Sequence, residues 1–87
     1  MNWRRKFATP VKSSTGKTIR TLADARAFMM AIGRKDPGRL YRNEWHHAWE
    51  HLEAAANHGS VADARKAFRN ALYLNGMLDF ESDRKAR

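Results

Sequence analysis

The sequence predicts a small α+β domain, with a short N-terminal β-hairpin packed on three short helices. Three observations predict it. Short polar-alternating runs around Val11 and Ile19 flank Ser14-Thr15-Gly16. The helix-start form S/T-x-x-D occurs twice, at Thr21-Leu22-Ala23-Asp24 and at Ser60-Val61-Ala62-Asp63. Apolar residues then recur at helical spacing behind each of these starts. If the first segment were only a loop, the same helices would form an all-α three-helix bundle.

Residues 1–8, MNWRRKFA, show no period and read as a basic flexible arm carrying two aromatics. A single domain follows over residues 9–80, and the charged end 81–87 reads as a frayed tail. In TPVKSSTGKTIRT the glycine supplies the positive φ of a hairpin turn. A lone two-stranded hairpin is marginal in water, so it must lie on something.

The first helix supplies that support. Thr21 caps it while Asp24 reaches back, and Leu22, Ala25, Met29 and Ile32, with Phe28 beside them, form one apolar stripe. Gly33 is placed to end it in a left-handed cap. Arg34 to Arg42 reads as a basic loop around the turn Asp36-Pro37-Gly38. A second helix runs from about Asn43 to His58, closed by Gly59, and a third from Ser60 to about Asn75, closed by Gly76. Val61, Ala64, Phe68, Ala71 and Leu72 share the third helix's apolar face, and Met77, Leu78 and Phe80 can pack back on the core.

The order of these signals resembles a group of short, uncharacterised proteins of alphaproteobacterial genomes. A strand pair with a glycine turn leads into T-L-A-D-A-R-x-F. A W-x-x-A-x-E-x-L-x-x-A-A helix follows, here Trp45 or Trp49, Ala48, Glu50, Leu52, Ala55 and Ala56, and the last helix ends A-L-x-L-x-G-x-L. The resemblance covers residues 10–78 and implies the architecture; it implies no activity and no site residue.

Composition narrows the function. Without cysteine there is neither a disulfide framework nor a thiolate metal site. Hydrophobic residues make up 43% of the 87, enough for one thin core but little room for an elaborate catalytic cleft. The longest apolar run, residues 27–32, is too short to span a bilayer, and no apolar h-region follows the basic start. A soluble, cytoplasmic, non-enzymatic domain without a cofactor is therefore expected. The net charge of +8 points to an acidic partner, either nucleic acid or an acidic protein surface.

HAWEH, residues 47–51, has the H-x-x-E-H form of a zinc enzyme. On a helical wheel with Trp45 at zero, Ala48, Trp49, Leu52 and Ala56 cluster within about 60°, while His47 and His51 fall at about 200–240°. Two imidazoles at i and i+4 can share a zinc, but catalysis needs a third ligand, an open position and a dry cavity. The pattern reads as an accident of an amphipathic helix, with weak metal binding at His47 and His51 as the minor alternative. Gly16-Lys17-Thr18 imitates the end of a phosphate-binding loop, but Val11 stands where that motif needs glycine. Ala55 and Gly59 have helix-turn-helix spacing, yet His58, Ser60 and Arg65 occupy positions that should be apolar.

Three basic segments carry the nucleic-acid expectation: Arg4, Arg5 and Lys6 between Trp3 and Phe7; Arg34, Lys35, Arg39 and Arg42; and Arg65, Lys66 and Arg69, continued by Tyr73. Their cations would neutralise phosphates, and the arm's aromatics would stack on unpaired bases. The alternative is a protein-interaction adaptor docking on an acidic partner. WRRKF alone buries too little apolar area for stable membrane anchoring.

Overall fold

The computed structural model describes residues 1–79, so Phe80 and the tail expected over 81–87 lie outside the described residues. The order is β1 (Lys6–Lys12), β2 (Thr18–Thr21), α1 (Leu22–Lys35), a 3-10 turn (Pro37–Tyr41), α2 (Asn43–Ala56) and α3 (Val61–Leu74). This is the expected α+β architecture, a hairpin followed by three helices. No described helix is long and apolar enough to cross a membrane.

β1 and β2 pair antiparallel, Val11 against Ile19 and Lys12 against Thr18. Lys6 pairs with Thr21, so five steps along β1 answer two along β2, and β1 bulges by three residues between these pairs. Pro10, which has no N–H to give to a ladder, lies in that bulge. Gly16 takes φ +92° in the turn, as its sequence position requires. The alternation along β1 is strict: Phe7 and Val11 are buried, whereas Lys6, Ala8, Pro10 and Lys12 face out. Past α3, the chain returns beside the turn. The Ser14 N–H donates to the Met77 carbonyl at 2.7 Å and the Asp79 N–H to that of Lys12 at 3.0 Å. Leu78 is thereby buried.

The capping box at α1 is complete: Asp24 N–H donates to Thr21 Oγ1 at 3.1 Å and Thr21 N–H to Asp24 Oδ2 at 3.2 Å. Gly33 does not end the helix. A glycine inside a helix costs only about 1 kcal/mol, whereas Pro37 disfavours helical backbone at the residue before it. α1 accordingly continues to Lys35, and its cap is Asp36 at φ −143°. Arg34 and Lys35 thus belong to the helix, not to a loop.

α2 stops at Ala56, two residues earlier than expected, and the left-handed residue is His58 at φ 75°, not Gly59. Gly59 serves a different need. Its N–H donates to the Ala54 carbonyl at 2.7 Å, so close that a Cβ would stand 2.6 Å from that oxygen. α3 closes as read. Gly76 has φ +67° and donates to Tyr73, and Met77 donates to Leu72, which together make a Schellman cap.

Trp45 and Phe68 are fully buried and meet edge-on, with centroids 6.4 Å apart; Phe28 meets Phe68 the same way at 5.9 Å. Leu22, Met29, Leu52 and Leu72 fill the space around these rings, while Ile32, Trp49 and Val61 are only half-buried. Each buried Leu or Phe contributes about 1.5–3 kcal/mol over an exposed one.

Residues 2–5 are docked, which corrects the expectation of a flexible arm. The Leu22 and Ala23 amides, left without helical partners at the start of α1, donate to the carbonyls of Arg5 and Trp3. At the end of α2 the Asn2 N–H donates to the Ala56 carbonyl at 2.7 Å. The Arg5 guanidinium donates to those of Ala55 and Gly59 at 2.7 and 2.8 Å. The segment fastens the start of α1 to the end of α2, and its cation sits at the negative end of the α2 dipole.

Candidate nucleic-acid interface

The three basic segments do not converge. Arg4 and Arg5 lie at the C-terminal end of α2, whereas Arg42 caps its N-terminus. A helix of 14 residues separates them by about 20 Å. Arg5 is engaged with two carbonyls. Arg39 Nε pairs with Asp36 at 3.4 Å, and Arg42 donates to Asn75 Oδ1 at 3.4 Å. Arg65 Nε donates to the Thr9 carbonyl at 2.7 Å, tying α3 to β1, and Arg69 is half-buried and engaged in a contact of its own. The exposed cation of the basic face expected on α3 is therefore Lys66, with Tyr73 exposed two turns further along the helix. Arg4, Lys6, Arg34 and Lys35 keep exposed side chains.

The aromatics of the N-terminal segment are also engaged. Trp3 packs on Trp49 at 6.2 Å between ring centroids, and the Arg26 guanidinium carbon lies 5.0 Å from its ring centre. Phe7 is buried in the core. Phe7 is thus withdrawn into the core, and Trp3 is half-buried between Trp49 and Arg26.

The outer face of the hairpin emerges instead. Lys12 and Arg20 are exposed there with Lys6, Lys17 is exposed in the turn, and the basic segments read from the sequence did not include Lys12, Lys17 or Arg20. A signal existed: the first acidic residue of the chain is Asp24, so Arg4, Arg5, Lys6, Lys12, Lys17 and Arg20 precede any carboxylate. Asp24 is itself occupied, since its Oδ2 accepts the Arg20 and Thr21 amides at 3.0 and 3.2 Å.

The histidine pattern resolves differently. Glu50 Oε1 pairs with His46 Nε2 at 2.6 Å. His47 and His51 meet edge-on, 4.4 Å apart, along an open cleft of about 270 Å³ that Asp63, Lys66 and Asn70 also line. Among the described residues no group of three or more His, Asp or Glu is placed to hold a metal ion, and Lys66 brings a positive charge into the same cleft. Gly16-Lys17-Thr18 forms the end of a hairpin turn and opens no helix, so it cradles no phosphate in the manner of the loop it imitates. Lys17 and Lys35 stand on the rim of a cleft of about 240 Å³, floored by Phe28, Ala31, Ile32 and Met77.

Comparison of the chain with protein-family models, with curated proteins and with solved structures finds no match.

Proposed function

We propose that the protein is a non-enzymatic, cytoplasmic domain that binds nucleic acid through phosphate contacts, on the outer face of the β1–β2 hairpin. The observation that carries this reading is the set of five exposed cations, Arg4, Lys6, Lys12, Lys17 and Arg20, in a stretch of chain without one carboxylate. Core packing lays the strands down with their apolar side chains inward, and the period of two leaves Lys6, Lys12 and Arg20 outward, with Arg4 just before β1 and Lys17 in the turn. Such a surface attracts a polyanion and gains affinity by releasing its counterions.

The test is fluorescence anisotropy of labelled random-sequence nucleic acid at several salt concentrations. Log affinity is expected to fall linearly with log salt, with a slope of about −4 if most of these cations meet a phosphate. Lys12→Glu and Arg20→Glu each flatten the slope by about one, whereas Lys66→Glu, in the α2–α3 cleft, leaves it unchanged. Absence of binding at low salt rejects this function.

A second reading is favoured by the cleft under Lys17 and Lys35. Its apolar floor and cationic rim suit an acidic protein segment with one apolar side chain, as an adaptor would bind. It takes precedence if nucleic acid does not bind.

A further inference from the structure

Resting on the nucleic-acid reading, we infer that the partner is a duplex, held by its phosphates across the outer hairpin face without regard to sequence, and not an unpaired strand. Domains that hold single strands combine a charged groove with aromatic rings on which bases stack. Here Trp3 lies against Trp49 and Arg26, and Phe7 is buried. The outward positions of the two strands are Lys6, Ala8, Pro10, Lys12, Thr18 and Arg20, none of which offers a π face.

Affinity must then come from charge, and charge favours the denser polyanion. A duplex carries one negative charge per ~1.7 Å of axis, about twice the density of one of its strands. The spacing of the cations suits a duplex flank. Lys6 and Lys12 pair with Thr21 and Thr18, three residues apart on β2, so the bulge sets them about 10 Å apart along the hairpin, about three base-pair rises. Arg20 and Lys17 broaden the footprint on the neighbouring strand and its turn. Lysines act as flexible point charges and read no base pattern, and Ala8 and Pro10 carry no polar group that could.

Anisotropy with the full chain tests this. The probes are a labelled duplex of about 20 base pairs, one of its strands alone, and a duplex of scrambled sequence, at matched salt. The expected result is duplex affinity at least about tenfold above that of the strand, with the two duplexes bound alike. The double substitution K12E/R20E should weaken duplex binding about tenfold or more and flatten the salt slope by about two, with K66E unchanged. Far-UV circular dichroism melts confirm that each variant folds. Equal or tighter binding to the single strand overturns the duplex inference and leaves the nucleic-acid reading standing. A strong preference between the two duplexes overturns sequence independence, and undiminished binding by K12E/R20E overturns the placement on the hairpin. No binding to any probe rejects the underlying reading itself.

Discussion

The Arg5 guanidinium donates to the Ala55 carbonyl at 2.7 Å, across 50 residues of chain. The same nitrogen also reaches Gly59 at 2.8 Å. One arginine of an apparent basic arm thus closes the end of α2, and its charge is unavailable to a partner.

Arg5→Ala is accordingly expected to destabilise the fold by about 1.5–3 kcal/mol, the range for hydrogen bonds made by a charged group. Arg4→Ala, at an exposed side chain, should stay within about 0.5 kcal/mol. Urea unfolding of the two variants compares them, and equal effects would remove the structural role of Arg5.

Deleting residues 1–5 tests the whole segment. It removes the carbonyls that accept from the Leu22 and Ala23 amides and the guanidinium that donates to Ala55 and Gly59, and it strips Trp49 and Arg26 of Trp3. The expected loss exceeds about 3 kcal/mol, since an aromatic pair and a cation–π contact each contribute about 0.5–1.5 kcal/mol beside the hydrogen bonds. A truncated chain as stable as the full one would show that the segment is a mere arm.

The α2–α3 connection yields a pair of opposite effects. Gly59→Ala places a Cβ 2.6 Å from a backbone oxygen that cannot swing away, so a loss of about 2 kcal/mol or more is expected. His58→Gly relieves left-handed strain of about 1–2 kcal/mol and adds unfolded-chain entropy of about 0.5–1 kcal/mol against it. The net gain expected is about 0.5 kcal/mol. Thermal melts of both variants should move in opposite directions.

Metal dependence is a fourth test. His47 and His51 have each other, but Glu50 is paired with His46 and Lys66 shares their cleft. Micromolar zinc is expected to leave the urea midpoint unchanged relative to a chelator, and the double substitution H47A/H51A should not alter that result. A zinc-dependent rise in stability that the double variant abolishes would reinstate the metal site.

Much of the fold was legible because its signals are local. The Thr21–Asp24 box, the Gly76 cap and the stripe of Leu22, Ala25 and Met29 act over three or four residues, and the period shows which face turns inward. Gly33 and Gly59 misled for the same reason. A glycine permits a left-handed turn without requiring one, and Gly59 answers to the nearby Ala54 carbonyl. The candidate interface was less legible. Counting cations by segment selected Arg5 and Arg65, which bond to distant carbonyls, and passed over Lys12 and Arg20.

By itself, then, the sequence determined where helices begin, where the hairpin turns, and which side chains go inside. Capping, turn geometry and apolar period are properties of neighbouring residues. Only the tertiary structure decided which charges remain outward. A guanidinium is committed by whichever carbonyls the fold brings to it, and those of Ala55 and Thr9 come from 50 and 56 residues away.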